Sequence, residues 1–91
     1  MPEISRFFGI VIQMYREKEG QHHRPHFHAI YAGEAAVFAL DPIEMLTGNI
    51  PTRQRRFVEA WAEFHHEELL EDWKLLQEGE MAKRIEPLKN E

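Results

Sequence analysis

The sequence predicts an α+β fold in which a small antiparallel sheet of three to four strands packs against one long C-terminal helix. The first half of the chain contains short runs of β-branched and aromatic residues separated by turn residues. The second half carries an apolar stripe at helical spacing. A chain of 91 residues is too short for a second hydrophobic core, so we expect a single domain over residues 1–91.

The strands form an antiparallel meander in this prediction. Their expected ranges are 7–15, 26–31 and 35–40. Gly9 lies inside the first range, and we interpret it as a bulge or a strand start. Gly20 marks a turn before the second strand, and residues 32–34 form a short hairpin connection before the third. Residues 41–50 contain proline and glycine and are interpreted as a connector, with room for one further short strand.

One continuous helix is predicted over residues 50–78. Asn49 suits the N-cap, and Pro51 is tolerated in the first turn of a helix. Gly79 is a natural terminator because glycine readily adopts the left-handed conformation that ends many helices. The remaining residues, 81–91, are expected to form an extended arm or an edge strand.

The apolar face of the predicted helix contains ionisable side chains. Phe57, Trp61, Phe64 and Leu75 form the face, and His65, Glu68 and Asp72 project from the same side at about 100° per residue. In one interpretation His65 is a hydrogen-bonded core histidine and the two carboxylates lie beyond the edge of the sheet. In the other, the three residues form a polar pocket between helix and sheet, because a buried carboxylate needs a partner.

The first turns of the helix carry arginines where the helix dipole favours acids. Arg53, Arg55 and Arg56 all lie there, next to backbone N–H groups that lack helical partners. With Arg24 they are candidates for binding an anion or a carboxylate of a protein partner. The alternative is local pairing, in which Arg55 and Arg56 each meet Glu59 one helical turn away.

Histidines are concentrated in one short segment. His26 and His28 lie two residues apart in a predicted strand, so their side chains project from the same face of the sheet. If His65 lies over that face it supplies a third metal ligand, with Glu68 or Asp72 as a fourth. Such a set would suit a divalent transition metal such as zinc, and the identity of any cofactor is left open. His22 and His23 are interpreted as loop residues without a role.

The same histidines also suit chemistry without a metal. Two imidazoles that titrate near neutral pH can act as an acid–base pair on a phosphodiester, as in a ribonuclease-like hydrolytic site. Whether the protein is an enzyme is therefore open at this stage. The sequence does not show which face of the sheet carries His26 and His28, and that face decides whether they can meet His65.

Composition narrows the classes of function. The formal net charge of −5 disfavours nucleic-acid binding, and residues 59–80 carry eight acids against one lysine, so a DNA-binding regulator ranks last. The chain has no cysteine, which excludes disulfides and cysteine-based metal sites and favours a cytoplasmic location. No apolar run approaches the roughly 20 residues that cross a bilayer, so we expect no membrane association.

Four segments resemble one family of small prokaryotic proteins. They are SRFFGIVIQMY, RPHFHAIYAGEAAVF, WAEFHHEELLEDWKLL and RIEPL, and together they cover almost the whole chain. The family is catalogued as domain of unknown function 4160, and its Pro-His-Phe-His element corresponds to residues 25–28. Relatives often carry two prolines before the histidine, where this chain has Arg24 and Pro25. The resemblance implies no activity, but it implies a toxin–antitoxin-like pairing with the product of a second short gene.

Two classes of function follow from these observations. The first is a protein-interaction module, either in a two-gene complex or in a homo-oligomer. The small core, the helix with Trp61 and Trp73, and an arm able to extend a neighbour's sheet all favour it. The second is the histidine-based site, with or without a metal. We rank the interaction module first.

Overall fold

The computed structural model describes residues 3–16 and 24–89. In these residues it contains five strands and two helices: β1 (Glu3–Phe7), β2 (Ile10–Gln13), β3 (His26–Tyr31), β4 (Glu34–Leu40), β5 (Ile43–Gly48), α1 (Thr52–Phe64) and α2 (His66–Gln77). The strands form one sheet in the order β1-β2-β3-β4-β5, and every neighbouring pair is antiparallel. The predicted α+β class and the meander are therefore confirmed. The turn predicted at Gly20, together with His22 and His23, lies outside the described residues.

The described sheet has one strand more than the three to four that are predicted. The predicted strand at 7–15 is two elements, because Phe8 and Gly9 form a tight turn with φ values of 50° and 78° between β1 and β2. A phenylalanine rarely adopts a positive φ, so Phe8 does not indicate the turn, whereas Gly9, interpreted as a bulge or a strand start, directly precedes β2. The connector at 41–50 contains a full edge strand, β5, which pairs with β4 through an irregular register near Val37.

The core forms on one face of the sheet, which α1 covers. Phe27 of β3 and Phe38 of β4 are direct cross-strand partners, and their stacked rings lie 5.4 Å apart. Trp61 of α1 is fully buried and packs on Phe27 at 5.9 Å and on Phe7 at 5.3 Å between ring centroids. These aromatic contacts fix the helix on the sheet.

The predicted single helix over 50–78 is broken. His65 departs from helical geometry, with φ −114° and ψ 27°, and separates α1 from α2. The helix also begins later than expected, since Pro51 takes the N-cap position and no side chain caps α1. The C-terminal end matches the prediction: the N–H groups of Gly79 and Glu80 donate to Leu76 and Leu75, which closes a Schellman motif. Neither helix in the described part of the chain is long and apolar enough to cross a membrane.

The C-terminal residues form an extended arm that packs on its own chain. The N–H of Ile85 donates to the carbonyl of Ile4 at 2.8 Å, so the arm lies along the outer edge of β1. Glu3 binds Arg6 at 2.8 Å and Arg84 at 3.2 Å, and these contacts, led by Arg6, lower the pKa of Glu3 to about 2. The expectation that the arm extends a neighbour's sheet is wrong for this conformation, because the arm is already bound to β1.

Gly48 permits the close pairing of β4 with β5. Its φ is +118°, and a Cβ added there would lie 2.3 Å from the Cα of Ala36, its partner across the ladder. We expect Gly48→Ala to lower the free energy of unfolding by about 3 kcal/mol, since it combines a backbone clash with an unfavourable φ. Gly33 is the matched control, because it has a φ of +82° but open space around a Cβ, so Gly33→Ala should cost only about 1–2 kcal/mol. Urea unfolding of both variants checks this, and equal losses would contradict the role of the close approach.

Candidate functional site

The structure brings His26 and His28 together, on the face of β3 opposite the aromatic core. Phe27 and Ala29 are fully buried beneath α1, and strand alternation directs the half-buried His26 and His28 to the other face. Their ring centroids lie 5.6 Å apart in an edge-to-face arrangement. The two histidines therefore form a pair, as their spacing predicts.

Three further residues surround this pair. The ring of Trp73 from α2 lies 5.0 Å from His26, and the ring of Tyr15 lies 5.2 Å from His28. Gln13 is the cross-strand partner of His28 and accepts a hydrogen bond from the Tyr15 hydroxyl. We call these five residues the histidine cluster. The sequence indicates that Gln13 and Tyr15 share one face of the sheet, because residues two apart in a strand do so. It gives no such indication for Trp73.

His65 belongs to a different environment. Its ring lies 5.7 Å from Trp61, and its Nδ1 lies 2.5 Å from Oε1 of the exposed Glu68. Residues 3–16 and 24–89 hold no group of three or more histidine, cysteine, aspartate or glutamate side chains arranged to bind a metal ion. The pairing of His26 with His28 is thus present without His65, and the metal-binding and hydrolytic roles stay predictions.

Asp72 is buried where α2 meets the C-terminal arm. Its side chain is 2% exposed, and Oδ1 accepts a hydrogen bond of 2.9 Å from the backbone N–H of Lys83. Its second oxygen, Oδ2, is buried without a hydrogen-bond partner in the described residues. Burial raises the pKa of Asp72, and the charges of Glu71 and Glu68 act in the same direction, while the Lys83 N–H opposes them. Asp72 therefore anchors the arm.

The predicted anion-binding arginines do not converge on one point. Arg24 pairs with Glu44 of β5 at 2.5 Å, and its carbonyl lies 2.9 Å from Nδ1 of His26. Arg55 pairs with Glu59 at 3.1 Å, as the local-pairing alternative predicts. Arg56 is exposed, and the guanidinium of Arg53 lies 5.4 Å from the centre of the Phe57 ring.

Arg53 lies at a pocket near the start of α1. This cationic pocket has a volume of about 430 Å³ and is lined by Phe8, Arg53, Gln54, Phe57, Leu88 and Lys89. Phe8 is 41% exposed, and its ring centroid lies 5.0 Å from that of Phe57. The pocket thus combines an aromatic floor with two cations on a protein whose net charge is negative.

A second pocket lies beside Phe64. The sequence predicts that Phe64 belongs to the apolar core face. Phe64 is instead 79% exposed, because α1 ends there and the residue lies beyond the sheet, beside the turn between β4 and β5. The open pocket next to it has a volume of about 750 Å³. Its lining includes four carboxylates, those of Asp41, Glu63, Glu67 and Glu68. We call Phe64 and these carboxylates the Phe64 surface.

Histidines also line this second pocket. Nε2 of His66 lies 2.7 Å from the carbonyl of Leu40, at the end of β4, and His65 occupies the break between the helices. The adjacent pair His65–His66 was the available signal for this site. Histidine is a moderate helix former, so two adjacent histidines do not mark the end of a helix. The sequence therefore does not predict the break.

The fold and its surfaces define a class: a small α+β protein whose five-stranded antiparallel meander carries a broken helix on one face. A model of the family Domain of unknown function (DUF4160) matches residues 9–74, more than half of the chain. The chain therefore belongs to this family, as its sequence motifs suggest. No curated protein and no solved structure matches the chain.

The buried carboxylate of Asp72 gives stability a testable pH dependence. A raised pKa means that the folded state binds the proton more tightly than the unfolded state, so this contribution is full below the ordinary Asp pKa of about 3.9 and is lost as pH rises through the raised value. Asp72→Asn keeps an oxygen for the Lys83 N–H and removes the charge. We expect a higher Tm than wild type at pH 7 and a difference that shrinks towards pH 4.

Thermal unfolding of both proteins across this pH range measures the effect. Glu34→Gln is the matched control, because it removes one charge from an exposed hairpin position that does not act on Asp72, so its Tm relative to wild type should be nearly the same at pH 7 and pH 4. A lower Tm for Asp72→Asn than for wild type at pH 7 would contradict the interpretation.

Proposed function

We propose that this protein is an interaction module that binds a positively charged patch of a protein partner through the Phe64 surface. The observation that carries the proposal is the exposure of Phe64 beside an open pocket lined by carboxylates. Large aromatic side chains are common energetic anchors of interfaces, and leaving one in water without a partner is unfavourable.

The charge of the surface indicates the chemistry of the partner. Asp41, Glu63, Glu67 and Glu68 line the pocket, and the whole chain carries a formal charge of −5. A partner with lysine or arginine side chains around an apolar group would complement this pattern. Such complementarity speeds association and selects partners more than it adds affinity, so binding should weaken as salt is raised.

A free sheet edge continues from the same pocket. Ile43 lines the pocket and begins β5, the edge strand, whose Leu46 is 44% exposed. The opposite edge, β1, is bound by the arm through Ile85. An extended segment of the partner could therefore pair with β5 while its side chains reach Phe64. This arrangement suits either the toxin–antitoxin-like pairing implied by the resemblance or a homo-oligomer.

The proposal predicts the loss of one defined complex. Tagged protein expressed in its native host should retain one partner, either a basic protein or the untagged chain itself, in a stoichiometric complex, and Phe64→Ser should weaken that complex by about 30-fold, the effect of losing an interface hot spot of about 2 kcal/mol. Isothermal titration calorimetry with the purified partner measures the change. Glu34→Lys, an exposed residue at the β3–β4 hairpin, is the control and should bind like wild type. Equal affinity of wild type and Phe64→Ser would contradict the proposal.

The histidine cluster supports a second candidate, a site that binds a divalent transition metal or acts on a phosphodiester. The favouring observation is the close approach of the His26 and His28 rings beside Tyr15. Elemental analysis of untagged protein, purified without chelators or immobilised metal, tests the metal form. This candidate predicts near-stoichiometric metal that the double variant His26→Ala, His28→Ala lacks. Metal-free wild type, and hydrolysis of RNA unchanged in the double variant, would exclude both forms.

A further inference from the structure

We propose that a second copy of this chain occupies the Phe64 surface and that it docks there with its cationic pocket, so that copies associate head to tail. This inference rests on the proposed function, since it names the partner of the same surface. The two surfaces, one near each end of α1, complement each other in charge and in shape.

The two surfaces have opposite charge. The Phe64 surface carries four carboxylates, whereas the cationic pocket carries Arg53 and Lys89. Arg53 makes no ion pair within residues 3–16 and 24–89, and its guanidinium lies over Phe57. Lys89 is 3.6 Å from Glu86, an exposed pair that contributes little. A carboxylate from another copy therefore meets at least one cation, Arg53, that no acid among the described residues neutralises.

The apolar parts of the two surfaces also correspond. Phe64 is a protruding aromatic side chain, whereas the cationic pocket is a recess of about 430 Å³ between Phe8, Phe57 and Leu88. An aromatic ring inserted there gains edge and face contacts with two phenylalanines and a cation–π contact with Arg53. The same insertion brings the carboxylate of Glu63, the residue before Phe64, towards Arg53 and Lys89.

The position of the surfaces allows head-to-tail association. Arg53 lies in the first turn of α1 and Phe64 is its last residue, which separates them by roughly 17 Å along the helix axis at about 1.5 Å per residue. Because they are different patches, a single contact between two copies leaves one surface of each type free, and a further copy can bind at either one. Such contacts form rings when the rotation closes and filaments when it does not.

Charge reversal on each surface tests the inference. Arg53→Glu removes the cation of the pocket and leaves Phe64 intact, whereas Glu63→Lys reverses an acid of the Phe64 surface and leaves the pocket intact. Both residues are exposed, and a lysine near the end of α1 suits the helix dipole, so both variants should fold. Circular dichroism confirms folding, and Glu34→Lys serves as the control for a charge change elsewhere.

Light scattering after size-exclusion chromatography gives the readout. Wild type and Glu34→Lys should form oligomers that dissociate as salt is raised, and each single variant should be monomeric. An equimolar mixture of Arg53→Glu and Glu63→Lys should associate although neither variant does so alone, because each variant supplies a surface that complements one of the other. A chain with both substitutions should associate again, since the reversed charges attract.

Two results would overturn the inference. If wild type is monomeric at all concentrations and Phe64→Ser abolishes the binding of a basic protein other than this chain, the Phe64 surface binds that protein. The proposed function then stands without self-association. If wild type associates but Arg53→Glu and Glu63→Lys associate equally well, the copies meet elsewhere. If changes to the Phe64 surface weaken neither self-association nor the binding of another protein, the proposed function is contradicted as well.

Discussion

The contacts of Trp61 hold the three parts of this protein together. Its indole ring lies against Phe27 in the centre of the sheet and against Phe7 in β1, and its Nε1–H donates to the carbonyl of Glu86 in the arm at 2.8 Å. A buried indole needs a partner for its N–H, and the arm supplies it. The site depends on the same residue: with α1 fixed at Trp61, its first turn contributes to the cationic pocket and its last turn exposes Phe64 beside the β4–β5 turn.

The break at His65 gives α1 and α2 different directions, so they contact different parts of the sheet. Up to Phe64 the helix follows the aromatic face of the sheet, and after His65 the new direction carries Trp73 to the start of β3, where it meets His26. Asp72 on the same segment binds the arm. Phe64 ends α1, whereas Trp73 of the histidine cluster lies in α2, so the aromatic side chains of the two sites are positioned by different helices.

Features that depend on local spacing could be predicted from the sequence. The pairing of His26 with His28, the ion pair of Arg55 with Glu59 and the helix end at Gly79 each involve neighbours in one element. Features that depend on the path of the chain could not. Phe64 falls on the apolar side of a straight helix, and only the position of the sheet edge shows that the described part of the chain leaves it exposed.

The β1–β2 turn is a further example of what the sequence conceals. Its first residue, Phe8, must adopt a φ of 50°, a conformation that aromatic residues disfavour, so the segment has the composition of one strand. The contacts of Phe8 with Phe57 and Phe7 offset that local cost. At Phe8 the local backbone preference opposes the tertiary packing, and Phe8 lies in the cationic pocket. Such conflicts are expected mainly at functional or strained sites.

The attachment of the arm to β1 has a consequence for synthesis on the ribosome. Ile4 is translated well before the group that satisfies its carbonyl, the N–H of Ile85, which follows 81 residues later. The indole N–H of Trp61 likewise waits for Glu86. The sheet can therefore assemble from its hairpins during translation, but its first strand keeps an open edge until the arm has emerged, and during that interval the nascent chain is most exposed to wrong pairing.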